Sequence, residues 1–147
     1  MDAFEEDTKC RVLVVEDDYP QRSLFTEILD EKHVSVVGVV SAAEALDVLY
    51  TAGHVDLLVA DIQLSGRMNG FELAEHCRRI QPDLRVLFVT GHHRDTAYLQ
   101  RCADPDAEIM FKPFMLSEFA LKVSSMLADL PCHKSWMSYS KARGWAS

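Results

Sequence analysis

The sequence predicts an α/β protein with a doubly wound, five-stranded parallel sheet. Strand-like and helix-like segments alternate along the chain, which is typical of parallel sheets with helices on both faces. Two segments, 12–15 and 55–60, are short, mostly apolar and rich in β-branched residues. Runs of this kind are typical of central strands that are buried on both faces. Acidic residues follow both runs directly, at the carboxyl ends of strands, where such sheets bind their ligands.

Local signals mark where the individual elements begin and end. Pro20 suits the first turn of a helix, where its missing N–H is not needed. Ser41 and Glu44 form a capping-box pattern, and Gly53 ends the helix that follows them. Pro82 closes the third helix, whereas few apolar residues support the fourth. The predicted strands are 11–15, 34–40, 55–60, 85–90 and 108–111, and the predicted helices are 19–31, 42–52, 70–81, 93–103 and 117–129.

The composition fits one globular domain with short flanking segments. The chain has 147 residues, of which 48% are hydrophobic. We expect an N-terminal extension at 1–10, a domain at 11–130 and a polar, basic tail at 131–147. The formal net charge of −8 argues against unspecific binding to nucleic acid. The acidic N-terminus and the lack of a long apolar stretch predict a cytoplasmic protein with no signal peptide or membrane span.

The four cysteines lie far apart in the sequence. Cys10, Cys77, Cys102 and Cys132 form no pair with metal-type spacing. Disulfides are rare in reducing compartments. We therefore expect free, mostly structural thiols.

Carboxylates follow two strands that are expected to be neighbours. Glu16 and Asp17 come after the first strand, and Asp61 comes after the third. Close carboxylates repel one another unless a cation joins them, and Mg²⁺ prefers oxygen ligands. Asp18 is interpreted as a helix cap or a solvent-facing residue. The pattern predicts a magnesium site formed by the other three.

Two further residues complete a set that resembles a known family. Thr90 ends the fourth strand and Lys112 ends the fifth. Together with Glu16, Asp17 and Asp61, they resemble the receiver domain of two-component response regulators, of the single-domain type. The Lys-Pro-Phe at 112–114 and the Gly-Phe-Glu-Leu at 70–73 also match, and the resemblance runs from about residue 11 to residue 130. It implies the flavodoxin-like (βα)₅ architecture.

The resemblance also implies a phosphorelay function. Asp61 would accept a phosphoryl group from a sensor histidine kinase or a histidine phosphotransfer protein. Lys112 would pair with a phosphoryl oxygen, and the Thr90 hydroxyl would swing towards the phosphoryl group. The protein would then catalyse only its own phosphorylation and dephosphorylation. Its signal would pass through protein contacts, including a homodimer through the face built from helix 93–103, strand 108–111 and helix 117–129.

The same resemblance assigns the metal ligands. Asp17 would bind Mg²⁺ directly, together with Asp61, and Glu16 would assist through water. The backbone carbonyl of Gln63 matches the remaining protein ligand of the family.

The sequence departs from the family pattern in two places. Ser65 stands where proline is usual, in a loop (61–70) that is one residue longer than usual. Ile109 stands where many receivers carry a switch aromatic. A β-branched aliphatic side chain cannot signal by rotating a ring, so the signal would pass through Thr90 and the 92–106 segment. His92, close to the expected pocket, is either a solvated loop residue or an influence on water attack.

Other functions stay open at this stage. A phosphorylation-independent interaction module and a receiver fragment of a hybrid histidine kinase both fit the pattern. A flavin protein of the same fold is less consistent, because the acidic residues after the first strand would repel a phosphate. An aspartyl phosphatase would need a second carboxylate at position 63, where this chain has glutamine. We expect no direct nucleic-acid partner and no membrane partner.

Overall fold

The computed structural model describes residues 9–32, 34–91 and 107–133. The strands are β1 (Arg11–Val15), β2 (Ser35–Val39), β3 (Leu57–Asp61), β4 (Arg85–Thr90) and β5 (Ala107–Phe111). The helices in these ranges are α1 (Tyr19–Glu31), α2 (Ala42–Ala52), α3 (Gly70–Ile80) and α4 (Leu116–Leu127). The strands form one parallel sheet in the order β2-β1-β3-β4-β5, which confirms the predicted fold class. The helix predicted at 93–103 lies outside the described residues.

Two apolar layers cover the sheet, one on each face. Alternate residues of β1, β3 and β4 pack against α2 and α3, with Leu73 and Phe88 among the buried side chains. The intervening residues pack against α1 and α4, around Phe25 and Phe119. Every residue of β3 is buried. The long apolar runs of the sequence are therefore explained by burial on both faces, which leaves the strand ends to carry polar chemistry.

The helix starts are held by side-chain caps. Ser41 Oγ accepts a hydrogen bond from the Glu44 N–H (3.2 Å), as the sequence pattern predicts. The Glu44 carboxylate, however, accepts from the Val40 N–H (2.8 Å). A reciprocal capping box forms instead between Asn69 and Glu72, at the start of α3. This cap fixes the helix that follows the loop after β3.

Strand β3 is shifted along the chain relative to the prediction. Asp56 does not enter the strand, because its side chain accepts a hydrogen bond from the backbone N–H of Arg11 (2.7 Å). Its own N–H donates to the Arg11 carbonyl (2.9 Å). Asp61, by contrast, is the last residue of β3 and not the first residue after it. The ladder thus holds the backbone of Asp61 in place.

One prediction about the cysteines is wrong. Cys10, before β1, and Cys132, after α4, form a disulfide across a sequence separation of 122 residues. Sequence spacing gave no sign of it, because the pair meets only when β1 and α4 pack together. Cys77 is free and buried, as predicted, and its burial raises the pKa of its thiol to about 11. Cys102 lies outside the described residues.

The chain continues as a helical turn beyond α4. The His133 N–H donates to the Leu130 carbonyl (3.0 Å), and the His133 ring lies 2.9 Å from Ser124 Oγ. Residues 1–8 and 134–147 lie outside the described ranges, so the predicted boundaries at 10 and 131 stay predictions. No described helix has the length and apolar character needed to cross a membrane.

Candidate functional site

The candidate site lies at the carboxyl ends of β1, β3, β4 and β5. Asp61 and Thr90 are the last residues of their strands. Backbone hydrogen bonds hold the residues that follow the other two strands. The Glu16 N–H donates to the Val39 carbonyl (3.1 Å), and the Lys112 N–H donates to the Thr90 carbonyl (2.8 Å). The sheet itself therefore sets the relative positions of these side chains.

Burial separates the acidic residues into an inner and an outer group. Glu16 and Asp61 are buried, with 2% and 7% of their surface exposed, whereas Asp17 is exposed. Thr90 is fully buried. The family resemblance implied only an assisting role for Glu16, yet its carboxylate is the most deeply buried of the three. Asp17 forms the solvent-facing rim, where an incoming ion would meet it first.

Lys112 joins the inner carboxylates. Its ammonium donates a hydrogen bond to Asp61 Oδ2 at 2.9 Å and lies 3.6 Å from Glu16 Oε1. The other Asp61 oxygen, Oδ1, accepts from the Gln63 N–H (2.9 Å). Hydrogen-bond donors therefore contact both carboxylate oxygens of Asp61. The same donors would suit a group that carries more negative charge at this position.

The carboxylates carry more negative charge than Lys112 neutralises. Glu16, Asp17 and Asp61 each offer one oxygen, and the three oxygens lie within 4.8 Å of one another. Glu16 Oε2 is buried and has no hydrogen-bond partner among the described residues. Burial, followed by the hydrogen bond and the charge of Asp61, raises the pKa of Glu16 to about 8. A hard divalent cation such as Mg²⁺ would satisfy this oxygen-only cluster.

The raised pKa of Glu16 makes metal-free stability depend on pH. Between about pH 4.5 and pH 8 the native state keeps a proton that the unfolded chain releases, so stability falls as pH rises through this window. We expect Glu16→Gln to remove this loss, so that its advantage over the metal-free wild type grows with pH and reaches about 4 kcal/mol at pH 8. Thermal unfolding in EDTA across this pH range measures the difference.

The control for this experiment is Glu75→Gln, because the Glu75 side chain is 70% exposed on α3. Its unfolding curve should run parallel to that of the wild type at every pH. A constant offset between Glu16→Gln and the wild type from pH 4.5 to pH 8 would contradict the electrostatic account of the site.

The loop between β3 and α3 is closed tightly over the end of β3. The Gly70 N–H donates to the Ile62 carbonyl (2.9 Å). A Cβ at position 70 would lie against the Asp61 carbonyl oxygen and only 2.9 Å from Ile62 Cα. Glycine at this position lets the start of α3 pack directly on the backbone of Asp61.

The unusual residue in this loop makes a contact of its own. The Ser65 N–H donates to Asp17 Oδ2 (3.3 Å). Proline, which is usual here in the resembled family, has no N–H and could not make this bond. Because position 65 is serine and not proline, the loop can form a hydrogen bond to the exposed carboxylate of Asp17.

The residues that pack around the site and hold it in place were not predicted from the sequence. Arg22 donates to the Glu16 carbonyl (2.8 Å), and its guanidinium lies 5.4 Å from the centre of the Tyr19 ring. Phe114, after the cis Lys112–Pro113 bond, stacks on the rings of Phe25 and Phe119. The Lys-Pro-Phe motif was visible in the sequence, but the ring that Phe114 meets on α1 was not. His92 lies outside the described residues.

The open parallel sheet, with a carboxylate cluster and a lysine at its carboxyl edge, defines an α/β protein with an oxygen-rich site beside a cation. Residues 12–124 match the model of the response regulator receiver domain. The chain belongs to this family, which serves two-component signalling.

Curated relatives include proteins of several sizes. Response regulator receiver protein CpdR of Brucella abortus (strain 2308) is 31% identical over 117 residues, which cover 80% of this chain and 96% of CpdR. Sensor kinase CckA of the same organism is 32% identical over 117 residues, which cover 79% of this chain but only 12% of CckA. The match to the transcriptional regulatory protein YbdJ of Bacillus subtilis (strain 168) covers 50% of that relative. The chain therefore spans only a part of some of its relatives.

Solved structures show the same architecture. A response regulator receiver protein from Sinorhizobium medicae WSM419 superposes with a TM-score of 0.74 at 25% identity, covering 82% of this chain and 96% of that one. Response regulator TrrA from Thermotoga maritima, solved in complex with Mg(2+)-BeF, gives a TM-score of 0.68 at 29% identity, covering 80% and 99% of the two chains.

Proposed function

We propose that Asp61 is the phosphoacceptor of a two-component phosphorelay and that Mg²⁺ supports the transfer. One observation carries the proposal: Lys112 contacts Asp61 at 2.9 Å inside a cluster of three carboxylates. A cation beside an aspartate balances the charge that a phosphoryl group brings. The similarity to TrrA, whose structure contains Mg(2+)-BeF, supports the same assignment.

The residues present suit transfer from a phosphohistidine. An Asp61 oxygen forms the new P–O bond while the P–N bond of the donor breaks, and the imidazole leaves with its electron pair. The Lys112 ammonium donates to Asp61 Oδ2 in this structure. After transfer it would pair with a phosphoryl oxygen. The Thr90 hydroxyl, at the buried end of β4, would bind another phosphoryl oxygen and carry the change into the loop behind it.

The donor set fits a magnesium ion. Asp17, Glu16 and Asp61 would hold it through carboxylate oxygens, and the Gln63 carbonyl would complete the protein ligands. The bound ion would neutralise charge on the transferred phosphoryl group. Glu16, with its buried and unpartnered oxygen, would either bind the ion or hold a water that binds it.

The assignment of Asp17 can be tested through thermal stability. Mg²⁺ at ten times its dissociation constant stabilises a native protein by about 1.4 kcal/mol. We expect Asp17→Asn to lose most of this response, because a neutral amide gives up the ligand charge. The Asn side chain retains an oxygen for the Ser65 N–H, so the fold should persist.

The matched control is Asp18→Asn at the neighbouring position. Asp18 caps α1 through the Gln21 N–H, and asparagine caps equally well. Equal magnesium responses in the wild type and both variants would remove Asp17 from the site.

We propose a sensor histidine kinase or a histidine phosphotransfer protein as the phosphodonor, with the exchange taking place in the cytoplasm. Similarity to CckA and CpdR supports this partner class.

The signal would leave the protein through the face that includes β5 and α4. Phe111 on β5 and Leu121 on α4 are 42% and 71% exposed, which supports protein contacts there, including homodimerisation. The proposal includes no direct contact with nucleic acid or membrane. The protein would catalyse only its own phosphorylation and dephosphorylation.

A phosphotransfer screen tests chemistry and partner together. The protein is incubated in Mg²⁺ with each phosphorylated sensor kinase from the same cell, and transfer is followed over time. Transfer from one kinase that is much faster than from the others supports the proposal and identifies the donor. If no kinase transfers label and small acyl phosphates also fail, Asp61 is not an acceptor.

A phosphorylation-independent interaction module is the second candidate, and Ile109 favours it. Its side chain packs against the apolar layer beneath α2 and α3. No ring is present at this position to report phosphorylation by rotation. The segment that would carry the signal instead, 92–106, lies outside the described residues. A receiver within a hybrid kinase is also consistent with the match to CckA.

A further inference from the structure

A second cluster of metal-binding side chains lies at the opposite edge of the sheet from Asp61. Cys10 precedes β1, Asp56 precedes β3 and Cys132 follows α4. The two sulfurs are bonded to each other in the disulfide, and a carboxylate oxygen of Asp56 lies within 4.8 Å of both. Three separate elements thus bring these groups to one point.

The carboxylate in this cluster is oriented by its neighbours. Asp56 Oδ2 accepts from the Arg11 N–H (2.7 Å), and Oδ1 lies 2.8 Å from His54 Nε2. Oδ2 is also 3.8 Å from Cys132 Sγ. A carboxylate does not stabilise a neighbouring disulfide, and without a cation its negative charge keeps nearby cysteines protonated. A metal ion, by contrast, benefits from an anionic ligand that is already held in place.

Access and redox state are also compatible with a metal ion. Cys10 is buried, but Cys132 and Asp56 are only partly buried, and the His54 side chain is 54% exposed. An ion could therefore enter from the side of Cys132. In the reducing cytoplasm, where the proposed phosphorelay would operate, disulfides are rarely permanent. The pair would then be present as thiols for at least part of the time.

We propose that the reduced protein binds a thiophilic divalent cation of the zinc class through Cys10, Cys132 and Asp56. Two thiolates and one carboxylate suit Zn²⁺, with a fourth position for water or His54. Binding converts two thiols and the ion into a dithiolate complex and releases two protons. Oxidation competes with it: glutathione disulfide takes two electrons from the thiols, yielding the Cys10–Cys132 disulfide and two molecules of glutathione.

This site differs chemically from the candidate phosphorylation site. The cluster around Asp61 offers only oxygens and suits Mg²⁺, whereas this one offers sulfur. Metal and disulfide would each fasten the start of β1 to the turn after α4. Only the reduced, metal-free form would lack this connection.

Titration of the full chain with Co²⁺ tests the proposal. Co²⁺ stands in for Zn²⁺ and gives sulfur-to-metal charge-transfer absorption only when thiolates bind it. Excess Mg²⁺ occupies the oxygen-only site, and a phosphine reductant keeps the thiols reduced. We expect saturable charge-transfer absorption, displaced by Zn²⁺, with release of about two protons per ion.

Four variants assign the ligands. Cys132→Ser should abolish the charge-transfer signal, and Asp56→Asn should weaken binding by at least about 10-fold. Cys77→Ala and Cys102→Ser are the matched controls and should bind like the wild type, with alanine chosen at buried Cys77 so that no polar group enters the core. The use of Cys132, which is only partly buried, avoids the risk that substitution at buried Cys10 prevents folding.

Several results would overturn the proposal. These are absence of thiolate absorption in the reduced wild type, retention of the signal in Cys132→Ser, and loss of the signal in either control variant. The oxidised protein, with its mass lowered by two hydrogens, should show no such absorption. Equal binding by oxidised and reduced protein would also exclude the cysteines as ligands.

Discussion

Asp61→Asn is expected to abolish phosphorylation completely. In Mg²⁺, the wild type should take up one phosphoryl group from an acyl phosphate or a phosphohistidine donor. The Asn variant has no carboxylate oxygen to form the acyl phosphate, although its amide oxygen can still accept from Lys112 or the Gln63 N–H. The fold should therefore be preserved while the chemistry is lost. Intact-protein mass and the lability of the label in base, not acid, measure the result.

The matched control for this experiment is Asp18→Asn. Asp18 is an exposed carboxylate at the start of α1 and lies outside the cluster formed by Glu16, Asp17 and Asp61. It should accept no label, and its variant should be phosphorylated like the wild type. Equal labelling of wild type and Asp61→Asn would place the acceptor elsewhere in the chain.

The sequence allowed the fold to be predicted because its strongest signals are local. The apolar runs that became β1, β3 and β4 are buried on both faces, and no helix pattern competes with them. Parallel topology then brings the strand ends to one edge, so the proximity of Asp61 and Lys112 followed from the order of elements alone. Their 2.9 Å contact lies across 51 residues of sequence.

Features that depend on tertiary packing were not predictable. The disulfide joins residues 122 positions apart, and Asp56 lies beside it only because its side chain pairs with the backbone of β1. The burial of Glu16 depends on how the loops close over the sheet, and the same holds for the Ser65 contact with Asp17. No pattern in the sequence encodes these distances, because each results from elements that meet only after folding.

Gly70→Ala should have the largest effect on stability among single substitutions near the site. The added methyl group would collide with the Asp61 carbonyl oxygen and the Ile62 backbone, and neither can move like a flexible side chain. We expect a loss of about 3 kcal/mol, or about 10 °C in the thermal midpoint. Because the collision falls on Asp61 itself, the surviving folded fraction should also be phosphorylated more slowly. Chemical denaturation and the initial rate of labelling measure the two effects.

Gly91→Ala is the matched control for this substitution. Gly91 follows β4 at the same edge of the sheet, but a Cβ built there meets no heavy atom within 4 Å. Its stability should stay within about 0.5 kcal/mol of the wild type, as for ordinary surface substitutions. If both variants lose the same stability, the cost comes from alanine itself and not from the close approach of α3 to β3. If only Gly70→Ala is destabilised but labels at the normal rate, the backbone of Asp61 tolerates a shift of α3, and the tight closure serves folding alone.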